Sequence, residues 1–206
     1  MNVPSEAAIA MIEHFEVGAE QDYIARPTWP GGASGLTIGI GYDLGYVSPT
    51  QIADDWRALP PAILARLQSY SGKKGSSAAA LLPRSHDIFV PEAAALEVFR
   101  QRDVPRTASL TNATFSNCDL ISSDCFGALV SIVYNRGSSM TDTQPNFNRL
   151  EMRQIRDAMA RAAFDAIPCY IRNMKRLWIG RGLDGLLARR DAEAAMFESG
   201  LTETDA

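Results

Sequence analysis

Two carboxylates and a hydroxyl in the first part of the chain, Glu16, Asp43 and Thr37, form a set that could cleave a glycosidic bond. That reaction takes one protonated carboxyl to give a proton to the leaving oxygen and a second, ionised group to position water or to attack the sugar. Glu16 follows Phe15 at the end of an apolar helix face, the kind of setting in which desolvation can keep a carboxyl protonated near neutral pH, and it is the expected acid. Glu13 and Glu20 lack that setting. Asp43 suits the base and Thr37 suits a residue that holds the attacking water. If water fills the gap between the carboxyls, roughly 6.5 to 9.5 Å wide, the outcome is inversion at the anomeric carbon.

Thr37 and Asp43 stand in the run Gly-Leu-Thr-Ile-Gly-Ile-Gly-Tyr-Asp-Leu-Gly-Tyr over residues 35–46. Gly39, Gly41 and Gly45 clear side chains from a short extended ribbon, from Leu36 to about Tyr42, so that a ligand can reach its backbone, at Gly41 in particular. On a regular strand Thr37 and Asp43, six apart, project from the same face. A second reading of Asp43, as a turn residue capping Leu44 and Gly45, stays open on chemistry alone. Tyr42 either stacks on a sugar ring or packs.

The elements that must position these residues are mainly helical. Ser5 caps a first helix with apolar residues at Ala8, Ile9, Met11, Ile12 and Phe15, and Gly18 should end it. Residues 26–35 are dense in Pro and Gly and read as an ordered loop pinned by Trp29. Helices are expected from Ser48-Pro49, from Pro60-Pro61 and from Pro91-Glu92, with polar loops over 72–77 and 107–124. Phe126 to Tyr134 is apolar nearly all round, which belongs to a helix in the middle of a lobe. It stops at Asn135-Arg136-Gly137, and that polar pair either lines a cleft or forms a cap and a surface ion pair. Helices over 149–163, 168–178 and 183–197 complete the pattern, and Trp178 with Leu177 reads as core rather than as a substrate platform. The fold class expected is α+β, mainly α.

The 206 residues, 46% hydrophobic and 21% charged, are enough for one domain with a sizeable core. A net charge of -4 argues against general nucleic-acid binding. Residues 149–190 nevertheless hold ten basic side chains against four acidic ones. Such a face either attracts a carboxylate-rich polyanion or is a solvated helical surface. Three cysteines, Cys118, Cys125 and Cys169, imply no paired framework, although a Cys118–Cys125 bridge is open in an oxidising compartment, and two histidines give no zinc-ligand spacing. The N-terminus lacks the pattern of a signal peptide, and no stretch approaches the roughly 20 apolar residues that span a bilayer. The expectation is synthesis in the cytoplasm, no membrane association, and delivery by another system to any substrate outside.

Residues 12–16, Ile-Glu-His-Phe-Glu, with Tyr23 seven residues after Glu16 and Thr37-Ile38-Gly39-Ile40-Gly41, resemble the active-site signature of phage-type lysozymes, the family of the T-even phage enzyme. The run from Ala128 to Gly137, then Trp178, Gly185-Leu186, Arg189-Arg190, Glu193 and Phe197, is similar at the other end. The resemblance implies a two-lobed fold in one domain. A small lobe covers about residues 14–50, and a larger helical lobe about 51–206 together with the N-terminal helix, with a glycan cleft between them. It implies N-acetylmuramidase activity on peptidoglycan strands by a monomer that needs no metal or cofactor. Glu16 takes the place of the acid and Thr37 that of the family threonine. Asn135, Arg136, Tyr42 and Gly41 would meet substrate. The family aspartate two residues after the tyrosine is Ala25 here, and Tyr42 replaces the usual histidine. Asp43 restores a base from the far side of Thr37, ahead of Asp22, and this order resembles the branch of pesticin and the secreted muramidase effectors. A toxin would bring an inhibitor protein with it. The rival readings are a lytic transglycosylase, which needs a single acid, and a non-catalytic peptidoglycan-binding or structural module.

Overall fold

The structure is a computed structural model and describes residues 2–17, 24–143 and 148–203. Expectations that concern Gly18, Glu20, Asp22 and Tyr23 lie outside the described residues. The chain is mainly helical with a small three-stranded antiparallel sheet, and it divides into two compact units. Residues 16–103 form one unit, and residues 1–15 with 104–206 form the other. The division therefore falls at Asp103/Val104 rather than near residue 50, because the helices after the sheet pack with it.

In the sheet-bearing unit the strands are β1 (Ile24–Thr28), β2 (Thr37–Gly39) and β3 (Tyr42–Asp43), in the order β1-β2-β3. β1 begins before the stretch expected to be a loop and runs into it as far as Thr28. As an edge strand it tolerates Pro27, which cannot donate to a ladder. The loop that follows is held by the Trp29 indole N–H, which donates to the Ser34 carbonyl at 3.0 Å. The ribbon is also not one strand. It reverses at Gly39 and Gly41, both at positive φ, so that Thr37 pairs with Asp43 and Ile38 with Tyr42. Then come α2 (Pro49–Asp55), capped by the Ser48 hydroxyl on the Gln51 N–H, and α3 (Pro61–Ser69). A short α4 (Ser76–Ala79) replaces the end of the expected polar loop, and α5 (Glu92–Val98) packs on β2.

The helical unit opens with α1 (Glu6–Val17), whose cap Ser5 accepts from the Ala8 N–H at 3.1 Å. A π-helical turn at Phe99–Asp103 leads into α6 (Val104–Thr114), a helix where the polar composition suggested a loop. Its buried Val104, Ala108 and Thr111 recur every three or four residues, a stripe too sparse to stand out in the sequence. α7 (Ser123–Arg136) is buried from Cys125 to Val133 and ends at Gly137, whose φ of 70° closes the cap with its N–H on the Val133 carbonyl. α8 (Leu150–Ala160) packs on α9 (Ile167–Asn173), and α10 (Asp184–Glu203) packs on α7 and on α9. Cys118 and Cys125 form no disulfide. Each donates its S–H to a different carbonyl, of Phe115 and Phe197, and burial pushes the Cys118 thiol up to about 11.

Helices α1 and α7 touch where Gly127 meets Ala8, and a Cβ at Gly127 would lie 2.2 Å from the Ala8 Cβ. Neither backbone can yield by a rotamer change. Gly127→Ala should lower the unfolding free energy by about 1–3 kcal/mol in urea titration, whereas Gly185→Ala, which meets open space, should not.

Candidate functional site

Asp43 is both a strand end and a cap. Its Oδ1 accepts from the Gly45 N–H at 2.8 Å and the Gly35 N–H at 3.0 Å, and its Oδ2 from Gly35 at 3.2 Å. The capping role left open by the sequence is therefore realised, and it fixes the carboxylate in place. Antiparallel pairing sets Asp43 directly opposite the buried Thr37, so the two side chains stand on one face. The expectation of a shared face holds, but the cause is cross-strand register and not alternation along one strand.

Gly35 and Gly39 stand where packing leaves no room for a side chain. A Cβ at Gly35 would lie 2.5 Å from Asp43 Oδ1, and one at Gly39 would lie 2.8 Å from the Trp56 ring. Gly41 stays exposed at the hairpin turn. Tyr42 does not offer its ring for stacking on a sugar. It is buried, edge-on to Trp56 with ring centroids 5.3 Å apart, and its hydroxyl donates to Asp55 Oδ2 at 2.9 Å. This corrects its expected place among substrate contacts. Glu16 is half-buried in the last turn of α1, and the division between the units passes between it and Phe15.

Asn135 and Arg136 end α7 in the helical unit, at a cavity of about 440 Å³. Asn148, Arg149, Trp178 and Arg181 share its lining, with Leu177 and Leu186 as an apolar wall. The pair lines this cavity and is tied down within the unit, although no surface ion pair of Arg136 is seen among the described residues. Arg136 donates to the Asn148 carbonyl, and Asn135 accepts from Arg190 at 3.2 Å. Trp178 is half-buried rather than core. The Arg136 and Arg190 guanidiniums lie 5.0 and 5.7 Å from its ring centroid, within cation–π range.

Beneath the cavity Glu193 has no exposure to water. Its Oε1 accepts from Ser131 at 2.5 Å, Arg190 at 2.8 Å and Arg189 at 3.2 Å. Burial pushes this carboxyl up, and the two guanidiniums pull against that. The sequence showed Arg189, Arg190 and Glu193 as a pattern but not their connection to Asn135. The basic surplus of residues 149–190 pointed at Arg149 and Arg181 without locating them. Among the described residues no three His, Cys, Asp or Glu side chains gather as a metal site would require.

Removing Glu193 would leave two buried guanidiniums without their counter-charge. Glu193→Ala should cost about 3–5 kcal/mol in denaturant unfolding, and Glu193→Gln less, because its amide oxygen can still accept.

Over residues 9–156 the chain matches the family described as "Pesticin: Bacterial toxin homologue of phage lysozyme, C-term". Among solved structures it is similar to a mutant P22 lysozyme, with 18% identity and a TM-score of 0.49 over 96% of this chain and 99% of that one. No curated protein matches.

Proposed function

Since the chain belongs to the pesticin family of bacterial toxin homologues of phage lysozyme, we propose that it is a peptidoglycan hydrolase of the muramidase type. Family membership supports wall hydrolysis in general. The finer reading is cleavage between N-acetylmuramic acid and N-acetylglucosamine, with Glu16 as general acid and Asp43 as general base. The observation that carries it is the pairing of Thr37 with Asp43 on a hairpin inside the matched segment.

In this reading Asp43 Oδ2 takes the proton of the attacking water while Oδ1 remains bound to the backbone of Gly35 and Gly45. Thr37, opposite, orients the same water through its hydroxyl. Glu16 protonates the leaving oxygen. Gly41, Asn135 and Arg136 would meet the glycan. The protein would act as a monomer on the periplasmic wall, in an antibacterial or phage lytic role. Delivery there would be by a holin, a phage particle or a secretion system, and a toxin role would require an inhibitor protein in the producing cell.

The backbone contacts of Asp43 also favour a second reading. If the carboxylate serves only the turn, a single acid at Glu16 remains, as in a lytic transglycosylase. Mass spectrometry of the fragments released from purified sacculi separates these readings. The muramidase should release reducing-end muropeptides, and both Glu16→Gln and Asp43→Asn should reduce that release by at least about 100-fold. The Asp43→Asn fold should survive, since the amide oxygen can still accept from Gly45, and thermal melting checks this. Anhydro ends that persist in Asp43→Asn would establish the transglycosylase. Binding to sacculi with no fragments from any variant would point to a non-catalytic wall-binding module.

A further inference from the structure

The cavity at the end of α7 concentrates positive charge. Arg136, Arg149 and Arg181 line it together with the amides of Asn135 and Asn148, and no carboxylate is among its lining residues. The acidic groups whose charges reach these arginines are already engaged. Asp142 accepts from the Arg153 side chain at 2.9 Å and from the Arg149 backbone N–H at 2.7 Å. Glu151 accepts from Arg176 at 2.5 Å, and Glu193 from Arg189 and Arg190. The sequence between Thr143 and Asn148 contains no Asp or Glu.

The consequence is visible at the atoms. The Nε groups of Arg136 and Arg149 are buried and, among the described residues, have no acceptor. Leaving a buried charged donor unanswered costs more than a neutral one. Burial, with Arg149 and Arg190 as like-charged neighbours, lowers the Arg136 guanidinium to about 10, and burial also lowers Arg149. Arg181 is exposed at the rim. A ligand that brings negative oxygen atoms into the cavity would answer this charge. Guanidinium forks match carboxylate and phosphate geometry alike.

We propose that this cavity binds a small organic anion carrying at least two oxyanion groups, carboxylate or phosphate, on an apolar or sugar body. The volume of about 440 Å³ suits a small molecule. The organic body is required by the walls, since Trp178, Leu177 and Leu186 offer a face that an inorganic ion would leave uncovered. The site stands independently of the hydrolase reading, although the two share Asn135 and Arg136.

Isothermal titration of the full chain with citrate and, separately, with fructose bisphosphate tests it, using wild type, Arg149→Gln, Arg181→Gln and Arg172→Gln. Arg172 lies outside the cavity lining and pairs with Glu198, so its substitution controls for net charge alone. At least one anion should bind, and loss of either cavity arginine should weaken it about 10–100-fold, the worth of one charge-assisted hydrogen bond. Arg172→Gln should leave the affinity within about twofold, since an exposed charge is screened by salt. Binding of citrate alone assigns a carboxylate ligand, and binding of the bisphosphate alone a phosphate one. No binding of either anion overturns the proposal, as does an equal loss in Arg172→Gln. Either failure leaves muropeptide release untouched, so the two readings fall separately.

Discussion

A carboxylate removed from water organises the helical unit. Glu193, on α10, can remain buried only while Ser131 of α7 and the two arginines of its own helix face it. The charges pair within α10, so its register against α7 rests on Ser131, whose hydroxyl donates to Glu193 and whose carbonyl accepts from Arg189 at 3.2 Å; sliding either helix would leave these buried polar groups unanswered. Arg190 then carries the order outward. Its Nη2 donates both to Glu193 and to Asn135, and its guanidinium lies over Trp178. The cavity walls thus inherit their placement from an ion pair they do not contain. Replacing such a cluster by apolar side chains often costs nothing in stability, so its physical contribution here is the geometry it imposes.

The hairpin of the other unit is fixed by different means. Two backbone amides bind Asp43, Trp56 fills the space that a side chain at Gly39 would need, and the Tyr42 hydroxyl reaches Asp55. Each contact removes a degree of freedom from a very short pair of strands, which alone would be marginal. The same hydrogen bonds that close the turn hold a carboxylate beside a hydroxyl. Turn closure and placement of a reactive group are therefore one structural event, and a capping role for Asp43 does not exclude a chemical one.

Charge follows a similar logic. Much of the basic surplus in the C-terminal part is spent on pairs: Arg153 with Asp142, Arg172 with Glu198, Lys175 with Asp191 and Arg176 with Glu151. The exposed Arg172–Glu198 pair contributes little stability by itself, whereas the buried Glu151 depends on Arg176 for its counter-charge. The effect of these pairs is to engage carboxylates of this part of the chain, and among the described residues the cavity that Arg136, Arg149 and Arg181 share has no carboxylate in its lining.

The amino-acid sequence by itself determined the helices with strong local signals. Ser5 and Ser48 cap α1 and α2, the apolar run of α7 announced its burial, and Gly137 marked its end. It also determined which residue types could perform glycosidic chemistry, and the family resemblance that the match over residues 9–156 bears out. Local signals failed where partners are remote. The stripe of α6 is sparse, and Pro27 hid an edge strand whose ladder partner lies in β2. Only the tertiary structure decided that Thr37 and Asp43 meet across a turn, that Tyr42 packs inward, and that Trp178 borders a cavity with Arg136, Arg149 and Arg181. The physical reason is common to these cases: a side chain's neighbours across strands and helices depend on register and burial, which are set by contacts between segments distant in the chain, whereas a cap or an apolar run is complete within a few residues.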